Sequence, residues 1–214
     1  MATIAVVDYG MGNLRSVAKA LEHVDPRARV RVSQDARELR AADRIVFPGQ
    51  GAIGGCMDEL RQRDLLEVVR ELAGSRPFLG ICLGMQALLE HSDENDGVDG
   101  LGLAAGRVRH FRTGFARASG TVPRKIPLMG WVRVALQRPH PLFDGIADGE
   151  WFYFVHSYYV EVMPEWTVGL AHYGIDFTAV LGRENVLATQ FHPEKSQRCG
   201  LRLLSNFSRW GGTC

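Results

Sequence analysis

Residues 77–86, Pro77–Phe78–Leu79–Gly80–Ile81–Cys82–Leu83–Gly84–Met85–Gln86, leave the backbone few choices. Phe78 to Ile81 is a short apolar run of the kind that forms a buried strand, and the spacing after Cys82 predicts a helix running on through Ala87, Leu88, Leu89, Glu90 and His91. A strand that becomes a helix at a single residue holds that residue in strained backbone geometry, and the positions two away must be small or their Cβ atoms would collide. Gly80 and Gly84 flank Cys82 at that spacing. The pattern predicts a nucleophile elbow carrying sulfur in place of a hydroxyl. Such a turn projects the thiol above the sheet at the start of a helix, where unpaired N–H groups and the helix dipole favour a thiolate and a developing oxyanion. The competing reading, an inert core cysteine between two loop glycines, accounts for neither the symmetry nor the strand–helix junction.

The chain before the elbow has a regular rhythm. Thr3–Val7 is a continuous β-branched run suited to a strand buried on both faces, and Leu14, Val17, Ala18 and Leu21 follow at helical spacing. Val30–Val32 predicts a strand, Ala36–Ala42 a helix, Ile45–Phe47 a strand, and Cys56 through Val69 a further helical stretch. The order βαβαβαβα predicts an α/β fold: a doubly wound, mostly parallel open sheet of flavodoxin-like type. Functional residues on such sheets gather at the carboxyl ends of the strands. Asp8–Asn13, Pro48–Gly51 and Cys82 all fall there. The Gly10-x-Gly12 turn begins like a dinucleotide fingerprint, but Arg15 stands where the third glycine is required, so the turn predicts a pocket wall instead. Pro48–Gly49–Gln50–Gly51 presents backbone N–H groups with little side chain in the way, material for an oxyanion hole, a ligand clamp or an ordinary turn.

After His91 the text changes. Ser92–Gly100 is acidic and predicts a solvated loop. Residues 107–138 hold eight Lys or Arg and no Asp or Glu, which predicts an antiparallel excursion that is either solvated or faces an acidic partner or anionic substrate. Trp151–Val160 reads as an aromatic strand in which His156 is structural, and Trp166–Ala171 and Phe177–Leu181 as an antiparallel pair. Val186–Phe191 predicts a strand that stops at His192–Pro193–Glu194, and Leu201, Leu203, Leu204 and Phe207 a closing helix. Pro193 restricts His192 to extended geometry, so His192 and Glu194 can project to one side and the carboxylate can fix the imidazole's tautomer.

At 214 residues the expectation is one domain spanning 1–214, with a net charge of +1 that gives no pull toward nucleic acid or a membrane. No run is apolar enough to span a bilayer and the first residues lack a signal pattern, which predicts a cytoplasmic protein. Four cysteines (Cys56, Cys82, Cys199, Cys214) lie far apart, so neither a metal nor a disulfide framework is expected, and nothing calls for a cofactor. Cys82, His192 and Glu194 then form a nucleophile, a base and an orienting acid, with N–H groups near Gly49, Gly51 and Leu83 to hold an oxyanion. A stand-alone thiol hydrolase, a flavodoxin-like nucleotide-binding module with Cys82 inert, and a pseudo-enzyme scaffold are the other readings.

At these residues the chain resembles the class I, triad-type glutamine amidotransferases, in Gly80–Gln86 and in Phe191–Glu194. More narrowly it is similar to the glutaminase subunits of imidazole glycerol phosphate synthase, on Asp8–Val17, Met85, Met129–Gly130–Trp131, Tyr153–Tyr159 and Phe191–Gln197. The resemblance implies hydrolysis of L-glutamine through a γ-glutamyl thioester on Cys82, with ammonia passed in a 1:1 heterodimer to a (β/α)₈-barrel cyclase subunit, HisF. That partner would make imidazole glycerol phosphate and AICAR for histidine biosynthesis. It also implies that Gln86, Ser157 and Tyr158 line the glutamine pocket and that Met129 and Trp131 lie at the subunit interface. One departure is Leu128, where the family often has a histidine before Met-Gly-Trp.

Overall fold

The computed structural model describes residues 1–118, 122 and 124–213, so Cys214 and part of the basic segment lie outside the described residues. The first half alternates as the apolar runs demand: β1 (Thr3–Val7), α1 (Leu14–Val24), β2 (Arg29–Ser33), α2 (Ala36–Arg40), β3 (Arg44–Gly49), α3 (Ile53–Gln62), α4 (Leu66–Ala73) and β4 (Phe78–Cys82). The expected single helical stretch from Cys56 to Val69 is two helices, broken where Asp64 takes φ 56°. After the elbow come α5 (Leu83–Gln86), β5 (Leu89–Ser92), β6 (Val98–Asp99), β7 (Ala104–His110), α6 (Phe111–Arg117) and β8 (Leu128–Leu136). The chain closes with β9 (Trp151–His156), β10 (Tyr158–Val160), β11 (Thr167–His172), β12 (Asp176–Arg183), β13 (Val186–Thr189) and α7 (Gln197–Phe207).

Strands β2, β1, β3, β4 and β13 lie side by side and parallel; β12 and then β10 and β7 continue the sheet antiparallel, and β11, β8 and β9 branch from β12. Alternate residues of β1 feed opposite cores. Ala5 and Val7 pack with α2, α3 and α4, and Ile4 and Val6 with α1 and α7. A strand covered on both faces has no polar side to present, which is why Thr3–Val7, Ile45–Phe47 and Phe78–Ile81 read as unbroken apolar runs.

Three local expectations fail for one reason: strand pairing overrides local preference. The helix after Cys82 lasts a single turn, because Leu89 onward is drawn into β5, parallel to β7. The Ser92–Gly100 segment is not a free loop; it carries a 3₁₀ turn at Glu94–Asp96 and then β6, paired with β5. The aromatic strand breaks at Ser157, so that β9 pairs with β8 while β10 joins β7 and β12. In the basic stretch, Phe111 and Phe115 of α6 are buried, and Arg109 pairs with Asp93 and Glu161 in a half-buried network.

Gly84 lies at one of the tightest contacts among the described residues. A Cβ there would collide with the Phe47 carbonyl oxygen of β3. Gly84→Ala must push β3 away from β4, and overpacking of this kind costs about 3 kcal/mol. Urea unfolding should therefore show a lowered midpoint for Gly84→Ala, against a change of no more than about 0.5 kcal/mol for Gly211→Ala, where a Cβ meets nothing.

Candidate active site

The elbow has the strained geometry its sequence implies. Cys82 sits at φ 54°, ψ −107°, a positive-φ conformation that an L side chain rarely adopts, and its residue is only 7% exposed. The flanking glycines are required by neighbours on both sides. Gly84 abuts β3, and a Cβ on Gly80 would come within 2.8 Å of the Ala188 Cβ on β13. On either side of β4, Gly49 is registered opposite Cys82 and Thr189 opposite Ile81. Two distant stretches are thereby brought beside the sulfur.

Beyond β13, the turn at His192–Pro193–Glu194 holds a buried pair: His192 Nδ1 and Glu194 Oε1 lie 2.9 Å apart, with side chains 3% and 1% exposed. A carboxylate on Nδ1 places the ring proton there and leaves Nε2, which has no hydrogen-bond partner, as the nitrogen available to the cavity. Burial opposes charge on His192, but the Cys82 thiol and the Glu194 carboxyl beside it outweigh that and raise the imidazole to about 9. The turn itself is pinned. His192 N–H donates to the Tyr153 carbonyl at 3.0 Å, and Ser196 Oγ donates to the His192 carbonyl at 2.7 Å and accepts from Tyr153 N–H at 3.0 Å.

Cys82 and His192 open into one cavity of about 450 Å³. Of the residues singled out from the sequence, Gly51, Leu83, Gln86, Ser157 and Tyr158 line it with them. Leu83 is the first residue of α5, so its N–H has no acceptor within the helix. Gly49 lies one layer back, where a Cβ would come within 2.5 Å of the buried Tyr9 hydroxyl and 2.8 Å of the Leu83 Cβ. Glu194 is not among the lining residues. The Asp8–Asn13 turn does not line the cavity either, and instead packs behind it through Tyr9 and Gly12. Met129 and Trp131 stand outside it, 64% and 41% exposed on the outer face of β8. Leu128 points the other way, 2% exposed and registered opposite His156.

Gln86, which lines the cavity, is also bonded behind it. Its amide nitrogen is already committed, at 3.0 Å to the Tyr158 carbonyl and 3.0 Å to Gln190 Oε1. His156 is structural as expected: its Nδ1 donates to the Tyr158 carbonyl at 2.6 Å, and burial among Phe111, Phe154 and Phe177 pushes it down to about 4, so it stays neutral. Gln50, from the Pro48–Gly51 turn, and His156 also line the cavity, and Glu94, Pro127, Val155 and Lys195, none of them assigned to a pocket from the sequence, complete it. Glu94 belonged to an apparently solvated loop. Its carboxylate accepts the Ile53 N–H at 2.9 Å, tying that loop to the start of α3 beside Gly51.

The sequence profile described as "Glutamine amidotransferase class-I" matches residues 5–209. The chain is 55% identical over 213 residues to "Imidazole glycerol phosphate synthase subunit HisH 1" of Pseudomonas aeruginosa, covering 99% of each chain. It is 54% identical over 212 residues to "Imidazole glycerol phosphate synthase subunit HisH" of Methylococcus capsulatus, covering 98% of this chain and 97% of the relative. A solved structure of a glutamine amidotransferase superposes with a TM-score of 0.68 at 18% identity, over 96% of this chain and 99% of that one, a likeness of fold alone.

The raised imidazole has a consequence for stability. The folded value of His192, about 9, lies above the unfolded value near 6.5, so its contribution is complete below about pH 6.5 and is lost as pH rises through about 9. Glu194→Gln removes part of what raises it. The stability gap between wild type and Glu194→Gln, measured by urea unfolding, should therefore be widest near pH 6.5 and narrow by pH 10; a gap constant over that range would contradict a charged His192.

Proposed function

The chain belongs to the class I glutamine amidotransferases, and on that premise we propose that it is the glutaminase subunit of an imidazole glycerol phosphate synthase, acting in histidine biosynthesis. The observation that carries this reading is His192, backed by the buried Glu194, opening into the same cavity as a strained, elbow-mounted cysteine.

In this reading the Cys82 thiolate attacks the side-chain carboxamide carbon of L-glutamine. The N–H of Leu83, with those of the Gly49–Gly51 strand, takes up the negative charge on the tetrahedral oxygen. His192 delivers a proton to the leaving nitrogen, the C–N bond breaks, and ammonia departs from a γ-glutamyl thioester. His192 then removes a proton from water, which attacks the thioester carbon and releases glutamate and the thiolate. Glu194 holds the imidazole in register throughout. Gln86, Ser157 and Tyr158 frame the substrate, and Glu94, a carboxylate in the lining, is matched in charge to an amino acid's ammonium group. The chain needs no cofactor for these steps.

Ammonia must then reach an acceptor, and the relatives are named as subunits of a synthase. The partner is a cyclase subunit, HisF, in a 1:1 heterodimer in the cytoplasm, docked on the face that exposes Met129 and Trp131. The support is the apolar exposure of that face and its continuity with the cavity: Val155, registered opposite Met129, is itself a lining residue. The Pro48–Gly51 strand, able to turn its N–H groups in or out, gives the partner an equilibrium to bias, so the isolated chain is expected to hydrolyse glutamine weakly.

Treating the chain with a diazo-ketone analogue of glutamine and mapping the adduct by mass spectrometry tests the nucleophile; the adduct is expected on Cys82, and labelling elsewhere refutes the assignment. Cys82→Ala should lower glutamine hydrolysis by at least about 10³-fold with its partner present, at an unchanged melting temperature. Trp131→Ala should weaken partner binding roughly 30-fold by titration calorimetry, as loss of an aromatic anchor does. Unaltered affinity would move the interface elsewhere.

A further inference from the structure

Directly behind the cavity lining, between Gln86 and Cys82, sits a buried side chain that the triad does not use. Gln190 follows β13, is 0% exposed, and stands two residues before His192 with its backbone N–H held by the Ala179 carbonyl at 2.8 Å. Its side-chain nitrogen lies 3.8 Å from Cys82 Sγ, within range for an N–H donated to sulfur. Its oxygen accepts from Gln86 Nε2 at 3.0 Å.

The orientation of this amide follows from its neighbours rather than from choice. Gln86 reaches the Tyr158 main-chain carbonyl, which can only accept, so the group Gln86 presents there must be its NH₂. The second hydrogen of that NH₂ meets Gln190, and the atom it meets must be oxygen. Gln190 is therefore left with its own NH₂ toward the sulfur. Reversing Gln86 would set its oxygen against two acceptor oxygens, and reversing Gln190 would set two NH₂ groups against each other, in either case losing buried hydrogen bonds.

We propose that Gln190 is a further catalytic residue of this glutaminase, donating an N–H to Cys82 Sγ that favours the thiolate and aims it into the cavity. The proposal rests on Cys82 being the nucleophile. The short helix α5 makes such a donor useful, since one turn of helix sums little dipole. His192 serves the sulfur from one direction; Gln190 holds it from another and cannot itself lose or gain a proton. The Tyr158–Gln86–Gln190–Cys82 chain also joins the wall of the substrate cavity to the reacting atom through buried amides. The titratable and charged groups around the sulfur are His192 and Glu194 after β13, Tyr9 after β1 with Cys56 on α3 behind it, His156 at the end of β9, and Glu94 and Lys195 in the lining. Removing an uncharged amide alters none of them directly.

The test compares wild type with Gln190→Met, which keeps the length but has no donor, and with Gln190→Asn, which keeps the amide but withdraws it by one methylene. The readouts are the pH dependence of iodoacetamide labelling at each cysteine, resolved by mass spectrometry, and kcat and KM for glutamine in the presence of the cyclase partner. The expected result is a labelling curve displaced to higher pH in both variants, with labelling of Cys82 at pH 6 slowed about tenfold, as loss of a hydrogen bond to a charged group implies. A matching fall in kcat should accompany it with KM changed less than about twofold. Labelling curves superimposable on wild type in whichever variant folds would overturn the proposal. So would a raised KM with unchanged kcat, which would make Gln190 a support for the substrate wall only. If wild-type Cys82 is no more reactive than Cys56 or Cys199, the failure belongs to the nucleophile and not to Gln190.

Discussion

Parallel pairing of β4 with β3 on one side and β13 on the other is the constraint on which the rest of this molecule depends. Each pairing is a ladder of backbone hydrogen bonds with fixed register, and because side chains alternate with period two, a slip of one residue would turn every side chain to the wrong face. With the register as found, Gly49 sits opposite Cys82 and Thr189 opposite Ile81. The residues that leave β13 then fall beside the sulfur, first Gln190 and then His192, with Glu194 behind the imidazole. More than a hundred residues separate them from Cys82 along the chain, and nothing but the sheet shortens that distance.

Holding so many polar groups out of water needs compensation elsewhere. Gln86, Gln190, His156 and His192 are all buried, as is the Glu194 side chain, and a buried polar group without a partner costs about 1–3 kcal/mol. Most are satisfied within a closed set: Tyr158 through its carbonyl, Gln86 and Gln190 through each other, and His192 through Glu194 and Tyr153. Among the atoms left over, which include His156 Nε2 and Glu194 Oε2, two are informative. His192 Nε2 is unpartnered at the cavity, where the proposed mechanism needs a proton to move, and the Tyr9 hydroxyl is unpartnered beneath Gly49, at the strand proposed to hold the oxyanion. Of the six described non-glycine residues at positive φ, Cys82 is the one that lines the cavity.

What the sequence makes legible is set by how local the cause is. The elbow, the Pro48–Gly51 turn and the His192–Glu194 pair each declare themselves within a few residues, because steric rules at glycine and proline act on nearest neighbours. The parallel half of the sheet was readable for a similar reason, as strands buried on both faces carry unbroken apolar runs. Residues whose role depends on a partner far along the chain left no such trace. Gln190 reads as one more position in a strand, and Gln86 as a pocket wall, until their amides are seen to meet across the sheet. The one-turn length of α5 was equally hidden, since Leu89 helicity was decided by β7, which begins at Ala104. Glu94 looked solvated because its acceptor role toward Ile53 is tertiary.

The strand β9 adds a final constraint, because its two faces and its backbone serve different ends. Its outward side chains, Tyr153 and Val155, are registered with Trp131 and Met129 and share their exposed face, with the Tyr153 and Trp131 rings edge to face at 5.9 Å. Its backbone at Tyr153 accepts the His192 N–H through its carbonyl and donates its own N–H to the Ser196 hydroxyl oxygen, so the loop that carries the imidazole is anchored to the same residue. Its inward side chains, Phe152 and Phe154, pack on Phe191 immediately before that loop. A close-packed interior does not deform smoothly, so a displacement of β9 is passed to its neighbours rather than absorbed. The outer face of the hairpin and the base of the active site are thus separated by a single layer of backbone, and whatever loads Trp131 from outside bears on the position of His192 through two hydrogen bonds.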